Sequence, residues 1–143
     1  MLMLAWSSAA ISQTGMGSDD EKAIRTVIQS AYVDGLQNWG DSEVIRAGFH
    51  PTFELLSKTN DNQIKKLNIS DWIELVESRK AQNPGGPEFI TTMEILNIDI
   101  TVDAAAVKLD LIRNEKRIFT DYLLLYKFEE GWKIVGKIFH RLP

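Results

Sequence analysis

Two histidines, three tyrosines and four tryptophans are the side chains of this 143-residue chain best suited to acid–base chemistry or to holding a flat organic molecule. His50, within Phe49-His50-Pro51, is the better placed histidine, because an imidazole titrates near neutrality. The same ring can serve instead to satisfy backbone groups where a helix hands over to a strand. His140 falls near the last residue, where fraying and solvent exposure are expected. Tyr32 is the second acid–base candidate. Together with His50, the rings of Tyr32, Trp39, Phe49, Phe53, Trp72, Tyr122 and Trp132 are candidate walls of a ligand pocket, since aromatic faces stack on heterocycles or enclose apolar molecules. Each is also ordinary core material, so the set carries more weight than any member.

Other chemistries are excluded or left without support. With no cysteine, the chain has no disulfide, thiol nucleophile or zinc–thiolate site. Two histidines 90 positions apart, without an H-E-x-x-H pair, give no basis for a metal site. Residues Gly131 to Lys137 match the G-x-x-x-x-G-K of a phosphate loop, but Ile138 stands where Ser or Thr is required, and the segment reads as a strand. No resident cofactor is expected. Sixteen basic against twenty acidic residues, a net charge of −4, give no electrostatic footprint for nucleic acid. No segment approaches the length of a membrane span.

The elements that must position these side chains follow from periodicity. Ser18-Asp19-Asp20-Glu21 reads as a capping box, and Ile24, Ile28, Ala31 and Tyr32 continue an apolar stripe, so a first helix is expected from about Asp19 to Asn38. Gly40 ends it, and Asp41 caps a short second helix reaching Ala47. Pro51 forces an extended chain, with Phe53, Leu55 and Ser57 alternating along a strand. A second short strand ends near Asn68, and Ser70 caps a third helix carrying Trp72, Ile73 and Val76. Asn83-Pro84-Gly85-Gly86-Pro87 breaks that helix. A meander of four strands follows: Ile90 to Val102, Ala104 to Ile112, Ile118 to Phe128 and Trp132 to His140. Helices segregated from a mostly antiparallel sheet make an α+β fold.

The last hairpin allows a prediction about faces. With Phe128 opposite Trp132, one face carries Tyr122, Leu124, Tyr126, Ile134 and Ile138 and belongs to the core. The other carries Asp121, Leu123, Leu125, Lys137, Phe139 and Arg141, with Val135 among them. That places Asp121 in a surface ion pair with Lys137 or Arg141. It also makes Leu123, Leu125, Val135 and Phe139 the apolar patch of a homodimer interface.

Several local sequences resemble one superfamily. Tyr32-Val33-Asp34-Gly35, Gly40-Asp41, Phe49-His50-Pro51, Asp71-Trp72, Asp121-Tyr122-Leu123 and Gly131-Trp132-Lys133-Ile134-Val135 are similar to the nuclear transport factor 2-like proteins, within them the SnoaL-like and putative lumazine-binding families. The resemblance runs from about Asp20 to Phe139. It implies a cystatin-like cone, in which three N-terminal helices wrap a curved mixed or antiparallel sheet around an internal pocket, and a dimer. The family label implies a small apolar or aromatic ligand, such as a lumazine. Two other readings stay open: an isomerase, dehydratase or hydrolase of the SnoaL-like group using His50 or Tyr32, and a dimeric protein-interaction module whose cone is filled by its own side chains. Steroid isomerases of this fold pair a helix-one tyrosine with a carboxylate at the end of the first strand. Here that end is Ser57, so such a proton shuttle lacks its base.

Residues 1–17 contain no charged side chain and read as leader-like or disordered, ahead of a single domain over 18–143. Export to the periplasm or beyond is the expectation, although no Lys or Arg precedes the short apolar stretch; a cytoplasmic protein is the alternative.

Overall fold

A computed structural model describes the backbone of residues 14–143, with side chains from residue 19; the leader-like residues 1–10 lie outside the described residues. Helix α1 (Thr14–Val27) runs without a break into a π-helical stretch, Ile28–Gln37, and α2 (Ser42–Gly48) follows. Strands β1 (Phe49–Lys58) and β2 (Ile64–Asn68) form a hairpin, α3 (Ile69–Gln82) crosses back, and β3 (Thr91–Thr101), β4 (Ala104–Arg113), β5 (Lys116–Phe128) and β6 (Gly131–Arg141) complete the chain. The fold is α+β: three helices against one curved, unclosed six-stranded sheet in the order β2-β1-β6-β5-β4-β3. It is a mixed sheet, because β1 runs parallel to β6 while every other pair is antiparallel. Among the described residues, no helix is long and apolar enough to cross a membrane.

The elements lie close to their expected places, with two local differences. The first helix begins at Thr14, so Ser18 lies inside it and not at a cap. The acidic group that follows is used elsewhere: Asp20 Oδ1 accepts hydrogen bonds from Lys127 Nζ at 2.8 Å and Trp132 Nε1 at 3.0 Å, tying the helix to the β5–β6 turn. Helix α3 is capped by Asn68, whose side chain accepts from Asp71 N at 2.8 Å, two residues ahead of the expected Ser70. Asp41 caps α2 as expected, accepting from Glu43 N at 2.8 Å.

The apolar stripe of the first helix packs into the concave face of the sheet. Ile24, Ile28, Tyr32 and Leu36 are buried there with Ile45, Ile73 and Val76 from the other helices and with Leu109, Leu111, Leu123, Leu125 and Ile134 from the sheet. Contact between helices is closest at Gly48, where a Cβ would lie 2.3 Å from that of Ala31, so only glycine lets α2 approach.

The hairpin faces differ from the expected register, for two physical reasons. The turn holds two residues, Glu129-Glu130, with Gly131 at φ +120° opposite Phe128, so every β5 side chain points to the face opposite to the one predicted. A bulge at Val135 then slips β6, since Leu125 pairs with Ile134 but Leu124 with Gly136. Trp132 and Ile134 remain inside as expected, whereas beyond the bulge Lys137 and Phe139 turn inward. Leu123 and Leu125, predicted at a dimer interface, are therefore core. Tyr122, Leu124, Tyr126 and Ile138, predicted as core, occupy the outer face, each about half exposed.

On the β4–β5 pair, Asp110 accepts from Thr120 Oγ1 at 2.7 Å and Arg117 Nη1 at 2.7 Å, and Arg117 also meets Glu94. The Thr120 hydrogen bond, with help from Arg117, holds the Asp110 carboxyl below its ordinary range despite partial burial. A depressed carboxyl contributes stability that is present above its unfolded value near 3.8 and is lost as pH falls through the folded value. Asp110→Asn is expected to reduce the acid-induced loss of stability below about pH 4. Urea unfolding at a series of acidic pH values checks this; an unchanged acid limb would contradict it.

Candidate functional site

The turn and the bulge together create the main chemical feature of the interior. They direct Asp121 of β5 and Lys137 of β6 into the concave side, where Asp121 is 0% exposed and Lys137 6%. Asp121 Oδ1 lies 3.3 Å from Lys137 Nζ and has no hydrogen bond of its own. Asp121 Oδ2 accepts from the Tyr32 hydroxyl at 2.5 Å.

Tyr32 reaches this point from the π-helical stretch. The wide spacing there is visible in Asn38 N donating to Val33 O and Gly40 N to Gly35 O, five residues apart in each case. Such turns recur at functional sites, because they offset a side chain from the helical register. The Lys137 ammonium is boxed by rings: its Nζ is 4.9 Å from the centre of Tyr32, 4.9 Å from Phe139 and 5.5 Å from Trp72.

Burial dominates the proton affinities of this trio. It pushes the Asp121 carboxyl up, against the pull of the Lys137 charge and the Tyr32 hydrogen bond. It pushes the Lys137 amine down, against the Asp121 charge. It raises the Tyr32 phenol well above its ordinary value, as does the Asp121 charge, while Gln37 and Arg113 work in the other direction. The result is an acid and an amine whose proton affinities converge across a short gap, the arrangement acid–base chemistry uses.

Beside the trio lies a cavity of about 720 Å³ that is about half open to solvent, its volume within the usual size range of ligand sites. Leu55, Trp72 and Phe119 form its inner wall, and Leu36, Gln37, Trp39 and Arg113 line it from the end of the π stretch and of β4. The segment after α3, through Gly86 to Phe89, closes one side. Trp72 stands between cavity and trio, and Gln37 and Arg113, which act on the Tyr32 phenol, are themselves wall residues.

The aromatic residues expected at a pocket divide into groups. Tyr32, Phe49, Phe53 and Trp72 form one cluster: Tyr32 stands edge-on to Phe49 at 6.5 Å and to Trp72 at 6.2 Å, and Phe53 meets Phe49 at 4.8 Å and Trp72 at 6.2 Å. Trp72 and Trp39 line the cavity, Trp39 from a left-handed backbone at φ 58°. Trp132 is buried at the Asp20 end. Tyr122 is on the outer face, as corrected above. His50 stacks on Phe128 at 4.9 Å, with Nδ1 2.7 Å from Thr52 Oγ1, and is not among the cavity's lining residues.

The sequence pattern predicts Asp121 and Lys137 as a surface pair, and the structure corrects this to a buried one. Gly136 in the middle of a strand was the available signal, since an interior glycine often marks a bulge.

Comparison with known proteins follows the same lines. A 113-residue stretch covering 78% of this chain and 84% of the relative is 29% identical to Aldolase FrzH of Cladobotryum sp. A nuclear transport factor 2-like protein of unknown function from Shewanella baltica superposes with a TM-score of 0.69 at 25% identity, over 88% of this chain and 96% of that one. Another from Methylobacillus flagellatus gives 0.65 at 26% identity, over 95% and 98%. The family model described as "Putative lumazine-binding" matches residues 19–140. With nearly all of the described chain inside that match, and with the cone of helices on a curved sheet that the solved relatives share, this protein belongs to the putative lumazine-binding family of the nuclear transport factor 2-like superfamily.

Proposed function

We propose that the protein is a small-molecule-binding domain whose ligand, an apolar or aromatic compound such as a heterocycle of the lumazine type, occupies the cavity between Trp39, Trp72 and Phe119. The observation that carries this reading is the volume of about 720 Å³ left open beside an otherwise packed aromatic core. Mass spectrometry of the protein purified from its own host, native and then denatured, tests the reading. Release of a small molecule on denaturation is expected, and a native mass equal to the bare chain or its multiples would count against it.

A second reading, an enzyme, is favoured by the Tyr32–Asp121–Lys137 trio. Here Asp121 is the proton acceptor, Tyr32 holds the carboxylate in place and Lys137 balances its charge. Because Trp72 separates the trio from the cavity, this reading requires Trp72 to be displaced for a substrate to come within reach of Asp121. The aldolase name of the 29% identical relative supports reaction at a carbonyl-bearing substrate; the isomerases and dehydratases of the SnoaL-like group are the other classes this set would serve. Binding with no turnover in Asp121→Asn, against turnover in the parent, would establish this reading, and equal behaviour of the two would remove it.

Homodimerisation through the sheet is retained, with its residues moved to the outer face: Tyr122, Leu124, Tyr126 and Ile138. Leu124→Glu is expected to convert a dimer to a monomer in sedimentation velocity, and a parent that sediments as a monomer would sink the interface. The uncharged residues 1–10 support export, which N-terminal sequencing of the host protein tests; a start at Met1 would favour the cytoplasm.

A further inference from the structure

Two arginines line the cavity and a third lies against one of its wall residues, and among the described residues none of the three forms an ion pair. Arg79 and Arg113 line the cavity, and the Arg141 guanidinium lies 5.3 Å from the centre of the Phe119 ring, itself a wall. The other three arginines are all matched: Arg25 with Glu21, Arg46 with Glu43, and Arg117 with Glu94 and Asp110. Acids are not scarce, since the chain has 20 of them against 16 bases. Yet the lining includes a single carboxylate, Glu88. The deeper Asp121–Lys137 pair is internally balanced and offsets none of this charge.

Arg113 is also held in position. Its Nε donates to Thr91 Oγ1 at 3.0 Å and its Nη2 to Gln37 Oε1 at 3.3 Å. Thr91 is buried, and Asn38 clamps its backbone by donating to Thr91 O at 2.8 Å and accepting from Thr91 N at 2.7 Å. Neutral acceptors thus orient the guanidinium without neutralising it, and they leave three of its five N–H groups for another partner. A planar cation fixed in this way matches a carboxylate as a two-pronged fork, a geometry lysine does not offer.

We infer that the ligand is an apolar or aromatic carboxylate, with its ring system between Trp39, Trp72 and Phe119, its carboxylate on Arg113, and Arg79 and, beyond Phe119, Arg141 adding positive charge nearby. This rests on the binding role proposed for the cavity.

The test uses a matched pair of probes, 2-naphthoate and the neutral 2-naphthamide, titrated by tryptophan fluorescence against the full chain and its Arg113→Gln and Arg79→Gln variants. The parent is expected to bind the acid about tenfold more tightly than the amide, as a charge-assisted hydrogen-bond pair allows. Arg113→Gln should bring the acid down to the level of the amide and leave the amide unchanged. Arg79→Gln, which alters an exposed side chain, should narrow the preference by a smaller factor and keeps the test decisive if Arg113→Gln does not fold. Equal binding of the two probes by the parent, or a preference that survives both substitutions and high salt, overturns the carboxylate inference while the cavity stays a binding site. Failure of the parent to bind either probe at millimolar concentration overturns the cavity reading, and this inference with it.

Discussion

Lys137→Met is expected to destabilise the fold by about 3–5 kcal/mol, the usual result of removing one partner from a buried ion pair. The loss arises from Asp121: with no exposure, and with Oδ1 lacking any hydrogen bond, its carboxylate would keep only the Tyr32 hydroxyl as a partner. Adding Asp121→Leu should recover most of the loss, because a neutral pair of similar volume leaves nothing unsolvated at the same place. Acidification should also narrow the deficit of the single variant. Burial already raises the Asp121 carboxyl, and loss of the lysine charge raises it further. A group whose folded value is raised contributes stability at low pH and loses it as pH rises through that value. Urea unfolding of parent, single and double variants across the acidic to neutral range measures all three effects. A single variant as stable as the parent at neutral pH would mean that Asp121 is solvated or already protonated.

Trp72→Ala is the second substitution with a large expected effect. Truncation of a buried tryptophan typically costs about 3–5 kcal/mol. Here the ring is 8% exposed, packs against Tyr32 and Phe53, and covers Lys137 Nζ from 5.5 Å. Its removal joins the cavity to the space above the ion pair. Ligand affinity should fall together with stability, whereas Trp72→Phe, which keeps a ring in place, should retain most of both. Thermal unfolding with and without bound ligand separates the two losses. Normal affinity in a folded Trp72→Ala variant would move the ligand away from the inner wall.

The aromatic cluster was legible because its spacing is local. Tyr32 follows Ile24 and Ile28 on the helical stripe, Phe53 alternates along β1, and Trp72 opens the inward face of α3, so each can be assigned to the interior from its neighbours. The cone fold followed from the order of such elements together with the quoted motifs. Asp121 and Lys137 were not legible in this way. Their direction depends on whether the β5–β6 turn uses two residues or three, and on one extra residue at Val135, and each of these reverses a whole run of side chains. Charge made the misreading natural, since an acid and a lysine on one face of neighbouring strands normally go to the wet side. The cavity could not be read at all, because it is bounded by residues from Leu36 to Phe119 that only tertiary packing brings together.

The connection after α3 also bears on how quickly the proposed ligand would enter and leave. Most of the wall is helix and sheet, but one side is the run from Asn83 to Phe89, where a Cβ at Gly85 or Gly86 would meet nothing within 4 Å. Side chains on the rigid walls set how much a bound molecule gains from being there. If the cavity holds a ligand as proposed, substitutions that stiffen this loosely packed border are expected to change the rates of entry and exit more than the affinity.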